Sequence, residues 1–132
     1  MGIKYDFNNI VDLMLKEFPE LYYEYNQLRN AYENLFEKPG QHVIFGKIFV
    51  DYLVDMARKD PKSYLIQRML RFLERMAASE DKDLRFLVEH SILDSLIEND
   101  TLPLIERALL PATQNLSLQI ATKKSKNMQD FF

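Results

Sequence analysis

The 132 residues suffice for one domain, and 47% hydrophobic with 28% charged residues, three Gly and five Pro is the composition of a folded core, not of a disordered, collagenous or low-complexity segment. A formal charge of −3 and a pI near 5.4 lack the basic footprint of a nucleic-acid binder, while the absence of Cys removes disulfides, thiolate metal sites and a Cys nucleophile. No apolar run reaches the ~20 residues of a membrane span, and MGIKYDFNNI lacks the basic and apolar regions of a secretory signal, so the expected location is the cytoplasm.

Apolar residues recur at steps of three and four along almost the whole chain, which predicts an all-α fold. A first helix is expected over 7–18, capped by Asp6, with Ile10, Leu13 and Met14 inward. Pro19 suits the start of a second helix over 20–37, whose core face would be Leu21, Tyr25, Leu28, Tyr32 and Leu35 before Pro39-Gly40 stops it. The third, 41–59, is apolar except for a stripe of Lys47, Asp51, Asp55 and Arg58, so it should be buried on most sides. Asp60-Pro61 is expected to cap a fourth helix reaching Ala78, with Leu65, Met69, Phe72, Leu73 and Met76 inward.

Ser79 is expected to cap a fifth helix over 80–98 with two apolar stripes, Leu84, Val88, Ile92 and Leu96 on one side and Phe86, Leu93 and Ile97 on the other. A short helix from Pro103 to Leu110 and a last one from Ala112 to Thr122 complete a single domain over 1–122, followed by a tail over 123–132. Six or seven helices with short connections imply an irregular antiparallel bundle or a short solenoid-like stack of helix pairs.

Chemistry-bearing motifs are sparse. His42 and His90 lie on different helices with no ligand spacing between them, so no metal is expected, and His90 reads as a partly buried side chain donating to a neighbour. There is no GxSxG, P-loop or GxGxxG, and no cofactor is expected. Glu74, Glu89 and Asp94 are the carboxylates that a hydrolase would need to bring together, but Glu89 and Asp94 stand about 140° apart around one helix, so no enzyme is expected. Arg68, Arg71 and Arg75 form a basic stripe with Tyr64, which a solvated face explains. The ending SKNMQDFF is similar to a sliding-clamp-binding box, with Ser125 where that motif wants Gln; Phe131 and Phe132 otherwise read as packing back on the domain or as a disordered end.

The N-terminal third carries seven acids against four bases over residues 1–40. With Tyr25 and Tyr32 inward, Tyr23, Asn26, Asn30 and Glu37 fall on the far side of the second helix and Tyr22 and Glu33 on its flank. Tyrosine beside uncompensated acid suits docking of a basic protein, so these six residues are the expected partner-binding site.

From residue 45 the phrases FGKIF, FLERMAASED, LVEHSILDSL and LLPATQNLSLQI follow in an order that resembles a family of small all-helical bacterial proteins. The resemblance spans 45–121, with Phe72, Leu73, Glu74, Met76 and Ala77 on one phrase and Glu89, Ser91, Leu93, Asp94 and Leu96 on the next. His90 stands where that pattern has Val and Leu110 where it has Gly. The resemblance implies the helical fold, no catalytic residues, and an association with toxin immunity. The expected function is therefore a non-catalytic binding module, an immunity protein occluding a basic toxin domain, with a helical adaptor of a regulatory complex as the alternative.

Overall fold

The computed structural model describes residues 2–129, which form seven helices and no strand. Helix α1 is Ile10–Glu17; α2 opens as a 3-10 turn, Pro19–Leu21, and continues as Tyr22–Glu33. Helix α3 runs unbroken through Gln41–Ile44, a π-helical turn Phe45–Phe49, and Val50–Lys59. Helix α4 is Tyr64–Ala77, and α5 joins Lys82–Leu87, a second π turn Val88–Leu93, and Asp94–Glu98. Helix α6 is Leu102–Ile105 with a 3-10 turn Glu106–Ala108, and α7 is Pro111–Gln129.

The centre is aromatic. Phe18 meets Phe49 and Phe72 edge-on at 6.1 and 5.6 Å, Phe49 lies 5.9 Å from Phe72, and Phe45 adds a fourth ring 5.6 Å from Phe49. All four are fully buried, so one cluster ties α1, α3 and α4 together. The π turns of α3 and α5 pack against each other beside it, and α4 packs along α7. Contact between α4 and α7 skips two intervening helices, which closes a bundle; in a linear stack each repeat touches only its neighbours.

Several expected caps are displaced. Ser63 caps α4, its Oγ accepting from Ile66 N–H at 3.3 Å, while Asp60 holds only the preceding turn through Lys62 N–H. Asp81 caps α5 by accepting from Asp83 N–H at 2.9 Å, and Ser79 instead donates to the Tyr5 carbonyl at 2.7 Å. Both reassignments have one cause: a side chain caps from the position immediately before the first turn, which is Ser63 for α4 and Asp81 for α5, both in extended backbone. The last helix continues beyond Thr122 to Gln129; Phe131 and Phe132 lie outside the described residues.

Two interior expectations are overturned. Leu35 is exposed, because α2 ends at Glu33 and turns away before reaching it. Phe86 is 52% exposed although its stripe partner Leu93 is buried, because the π turn inserts a residue between them and rotates the helix faces. Phe72→Ala should therefore cost about 3–5 kcal/mol in urea denaturation. Phe86→Ala should cost below about 1 kcal/mol, the scale of a surface change.

Candidate protein-docking surface

Helix α2 departs from the pattern of the other long helices. None of its residues from Tyr22 to Glu33 is fully buried; Tyr25 and Leu28 rest on the core edge, and the opening 3-10 turn is held by buried Leu21. Tyr22, Tyr23, Asn26, Asn30, Glu33 and Glu37 are all exposed, Tyr23 at 68%. All six proposed contact residues are thus accessible, five on α2 and Glu37 just beyond its end.

Charge is distributed differently around this helix from what its sequence alone suggests. On one flank Glu24 lines a groove of about 310 Å³ with Leu21, Lys47, Asp51, Tyr52 and Asp55, so the polar stripe of α3 lies beside the acids of α2. Tyr52 donates to Glu20 Oε1 at 3.2 Å. Burial, then the charge and hydrogen bond of Glu20, push the Tyr52 hydroxyl pKa up to about 12, while Arg68 opposes the shift. Asp55 pairs with Lys59 at 3.1 Å, leaving Glu24 and Asp51 outside the recorded ion pairs of the described residues. On the other flank Glu33 and Glu37 share a groove with Arg29 and Lys38, so acid there faces base. The stripe of α3 was legible, but its position beside Glu24 required the tertiary structure.

The three carboxylates considered for acid–base work are engaged separately. Glu74 caps α7, accepting from Ala112 N–H, Thr113 N–H and the Thr113 hydroxyl, each at 2.9 Å. Glu89 pairs with Lys123 at 3.1 Å, and Asp94 lies 3.5 Å from Lys124 and 3.6 Å from His90. Residues 113 and 123 are about 15 Å apart along a helix, which separates Glu74 from the other two.

The arginine stripe is largely structural. Arg68 donates to the Glu17 carbonyl at 2.7 Å over the Phe18 ring, and Arg75 donates to the Tyr5 hydroxyl at 3.2 Å. Arg71 lies over exposed Tyr64 at 5.7 Å. The N-terminal segment is further fastened by Asp81, whose Oδ2 accepts from Phe7 N–H at 2.8 Å. That bond, with those from Asp83 and Leu84 N–H and the charge of Arg85, holds the Asp81 carboxyl below its ordinary value against a desolvation effect of opposite sign.

The histidines share a surface, but no group of three or more His, Cys, Asp or Glu side chains suited to a metal occurs among the described residues. His42 Nδ1 and Ser91 Oγ hydrogen-bond across α3 and α5. Phe86 lies between the imidazoles, 5.8 Å from His42 and 4.0 Å from His90. His90 is exposed against Phe86, contrary to the expected partly buried position.

Residues 11–124 match a family described as a domain of unknown function, DUF7674. The chain belongs to that family. The match includes α2, which the motif resemblance left outside, so the projecting helix is part of the family domain. No curated protein and no solved structure matches the chain. Among the described residues no helix is long and apolar enough to cross a membrane.

Replacing Glu74 by Ala leaves the first N–H groups of α7 and a buried Thr113 hydroxyl without their acceptor and should cost about 1–3 kcal/mol in urea denaturation. The Asp81 contribution has a defined pH sign. Its folded pKa is depressed, so the stabilisation is complete above the ordinary Asp value of about 4 and is lost as pH falls through the lower folded value. Asp81→Asn should flatten the acid limb of the urea midpoint against pH; an unchanged acid limb would contradict the assignment.

Proposed function

We propose that the protein is a non-catalytic binding module that docks a basic protein surface through α2. The supporting observation is that a whole helix projects with no fully buried residue from Tyr22 onward while presenting Tyr22 and Tyr23 to solvent. Aromatic side chains supply large contact area at low entropy cost, and an exposed group of them on a single element suits a partner surface. Glu20, Glu24 and Asp51 give the adjoining flank its negative field, which complements lysine- or arginine-rich surfaces and accelerates encounter with them. Tyr22, Tyr23, Asn26 and Asn30 provide the contact, and Glu33 and Glu37 its opposite rim.

Toxin occlusion is the biological role we favour. The motif resemblance carries that association, and an immunity protein needs only a preformed acidic, aromatic face to cover a basic active site. A toxin gene beside the coding sequence and growth rescue by the intact chain would support this role; an adaptor role would leave toxin-induced growth arrest untouched.

Photocrosslinking from position 23 should trap the partner, and Tyr23→Ala should weaken binding of the purified partner by about 1–3 kcal/mol without lowering the melting temperature. Glu24→Lys should chiefly slow association and reduce its salt dependence. Arg71→Ala is the appropriate surface control, since Arg68 and Arg75 fasten the N-terminal segment. Binding unaffected by Tyr23→Ala and Glu24→Lys but abolished by Arg71→Ala would place the partner on the basic stripe.

A further inference from the structure

Helix α2 ends in a hydrogen-bonding pattern that normally places glycine where this chain has Phe36. Glu37 N–H donates to the Tyr32 carbonyl at 3.0 Å and Phe36 N–H to the Glu33 carbonyl at 2.9 Å, the two bonds of a Schellman motif. Its left-handed position is Phe36, with φ of 57°, a conformation that bulky residues rarely adopt and glycine adopts freely. The strained backbone holds the ring entirely in water, 99% exposed, beside Leu35 at 66%. The backbone gains its two capping bonds, which glycine would supply without strain, but an apolar ring presented to solvent gains nothing within the monomer.

Next to that ring is a receptacle. Tyr25, Arg29, Glu33, Phe36, Glu37, Lys38 and Pro39 line a groove of about 560 Å³. Arg29 also lies over the Tyr25 ring at 5.8 Å. The charges are balanced, Arg29 and Lys38 against Glu33 and Glu37, so a strongly basic or acidic partner would meet two like charges there. An identical surface carries both signs as well, so a twofold pairing that sets the acids of one copy against the bases of the other leaves no net like charge and offers a knob for each hole, the self-complementarity that an isologous dimer requires.

We infer that this groove is a self-association site, and that its occupant is a second copy of the chain with Phe36 of each protomer seated against the groove of the other. Pairing also explains how α2 persists: a 12-residue helix is marginal without packing, and this one buries no residue fully against its own domain. The groove shares Glu33 and Glu37 with the rim of the docking face but leaves Tyr22, Tyr23, Asn26 and Asn30 outward, so the tyrosines test the docking reading separately.

Sedimentation of the full chain tests the inference without any other component. The mass should rise from monomer to dimer between about 1 and 500 μM, as a small and partly polar interface allows. Phe36→Gly should raise the dimer dissociation constant at least about tenfold while leaving helix content and melting temperature unchanged or higher, because glycine suits the left-handed position. Two charge variants complete the test: Glu33→Arg with Glu37→Arg makes the groove wholly basic, and Arg29→Glu with Lys38→Glu makes it wholly acidic. Each should be monomeric alone, and the two mixed should form a one-to-one heterodimer. A wild-type chain that stays monomeric across the range overturns the proposal, as does a dimer that survives Phe36→Gly and both charge variants. Tyr23→Ala should leave the dimer intact, which separates this site from the docking face.

Discussion

The buried contact of Phe18, Phe49 and Phe72 is the interaction around which the molecule is built. Phe18 comes from the residue that ends α1, Phe49 from α3 and Phe72 from α4, and the edge-on approach of Phe18 to the other two adds specific geometry to the loss of apolar surface from water. With α1, α3 and α4 fixed by these rings, the π turn of α3 meets that of α5, and α7 closes along α4. Tyr5 extends the cluster outward, 5.5 Å from Phe72, and so draws the N-terminal segment onto the same centre.

Polar groups then fasten what the rings assemble. Asp81 accepts from the first N–H groups of its own helix and from Phe7, Ser79 donates to Tyr5, and Glu74 covers the start of α7. The phrase FLERMAASED thus carries the residues that cap α5 and α7, and LLPATQ opens the helix end that Glu74 caps. A carboxylate at a helix N-terminus neutralises donors that would otherwise be unsatisfied, which explains these polar residues without invoking catalysis.

Helix α2 stands outside this arrangement. Its single deep anchor is Leu21, and beyond it the chain presents tyrosines, acids and finally an exposed phenylalanine in a strained turn. The two flanks differ electrically because of their neighbours: Asp51 of α3 adds to the negative charge of Glu20 and Glu24, whereas Arg29 and Lys38 balance Glu33 and Glu37. One projecting helix therefore offers a charged face suited to a foreign partner and a neutral groove suited to a copy of itself.

Local sequence determined the helical class and most helix positions, because a 3.6-residue apolar period and Pro-Gly punctuation act over a few neighbours. It also marked Tyr22, Tyr23, Asn26, Asn30 and Glu33 as outward, since facing follows from angle along one helix; Glu37 is exposed too, but beyond the end of α2. Tertiary structure alone decided the rest. Phe86 and Leu35 read as core by period, but a π turn and an early helix end rotated them into solvent, and neither is visible in apolar spacing. Glu74 looked like half of an acid pair until α7 arrived to be capped, and Asp51 acquired its relation to Glu24 only when α3 lay beside α2. For Phe86 and Leu35 the reason is that periodicity assumes an unbroken α-helix; for Glu74 and Asp51 it is that periodicity records which side of a helix is apolar, whereas partners of charge depend on elements brought together from distant parts of the chain.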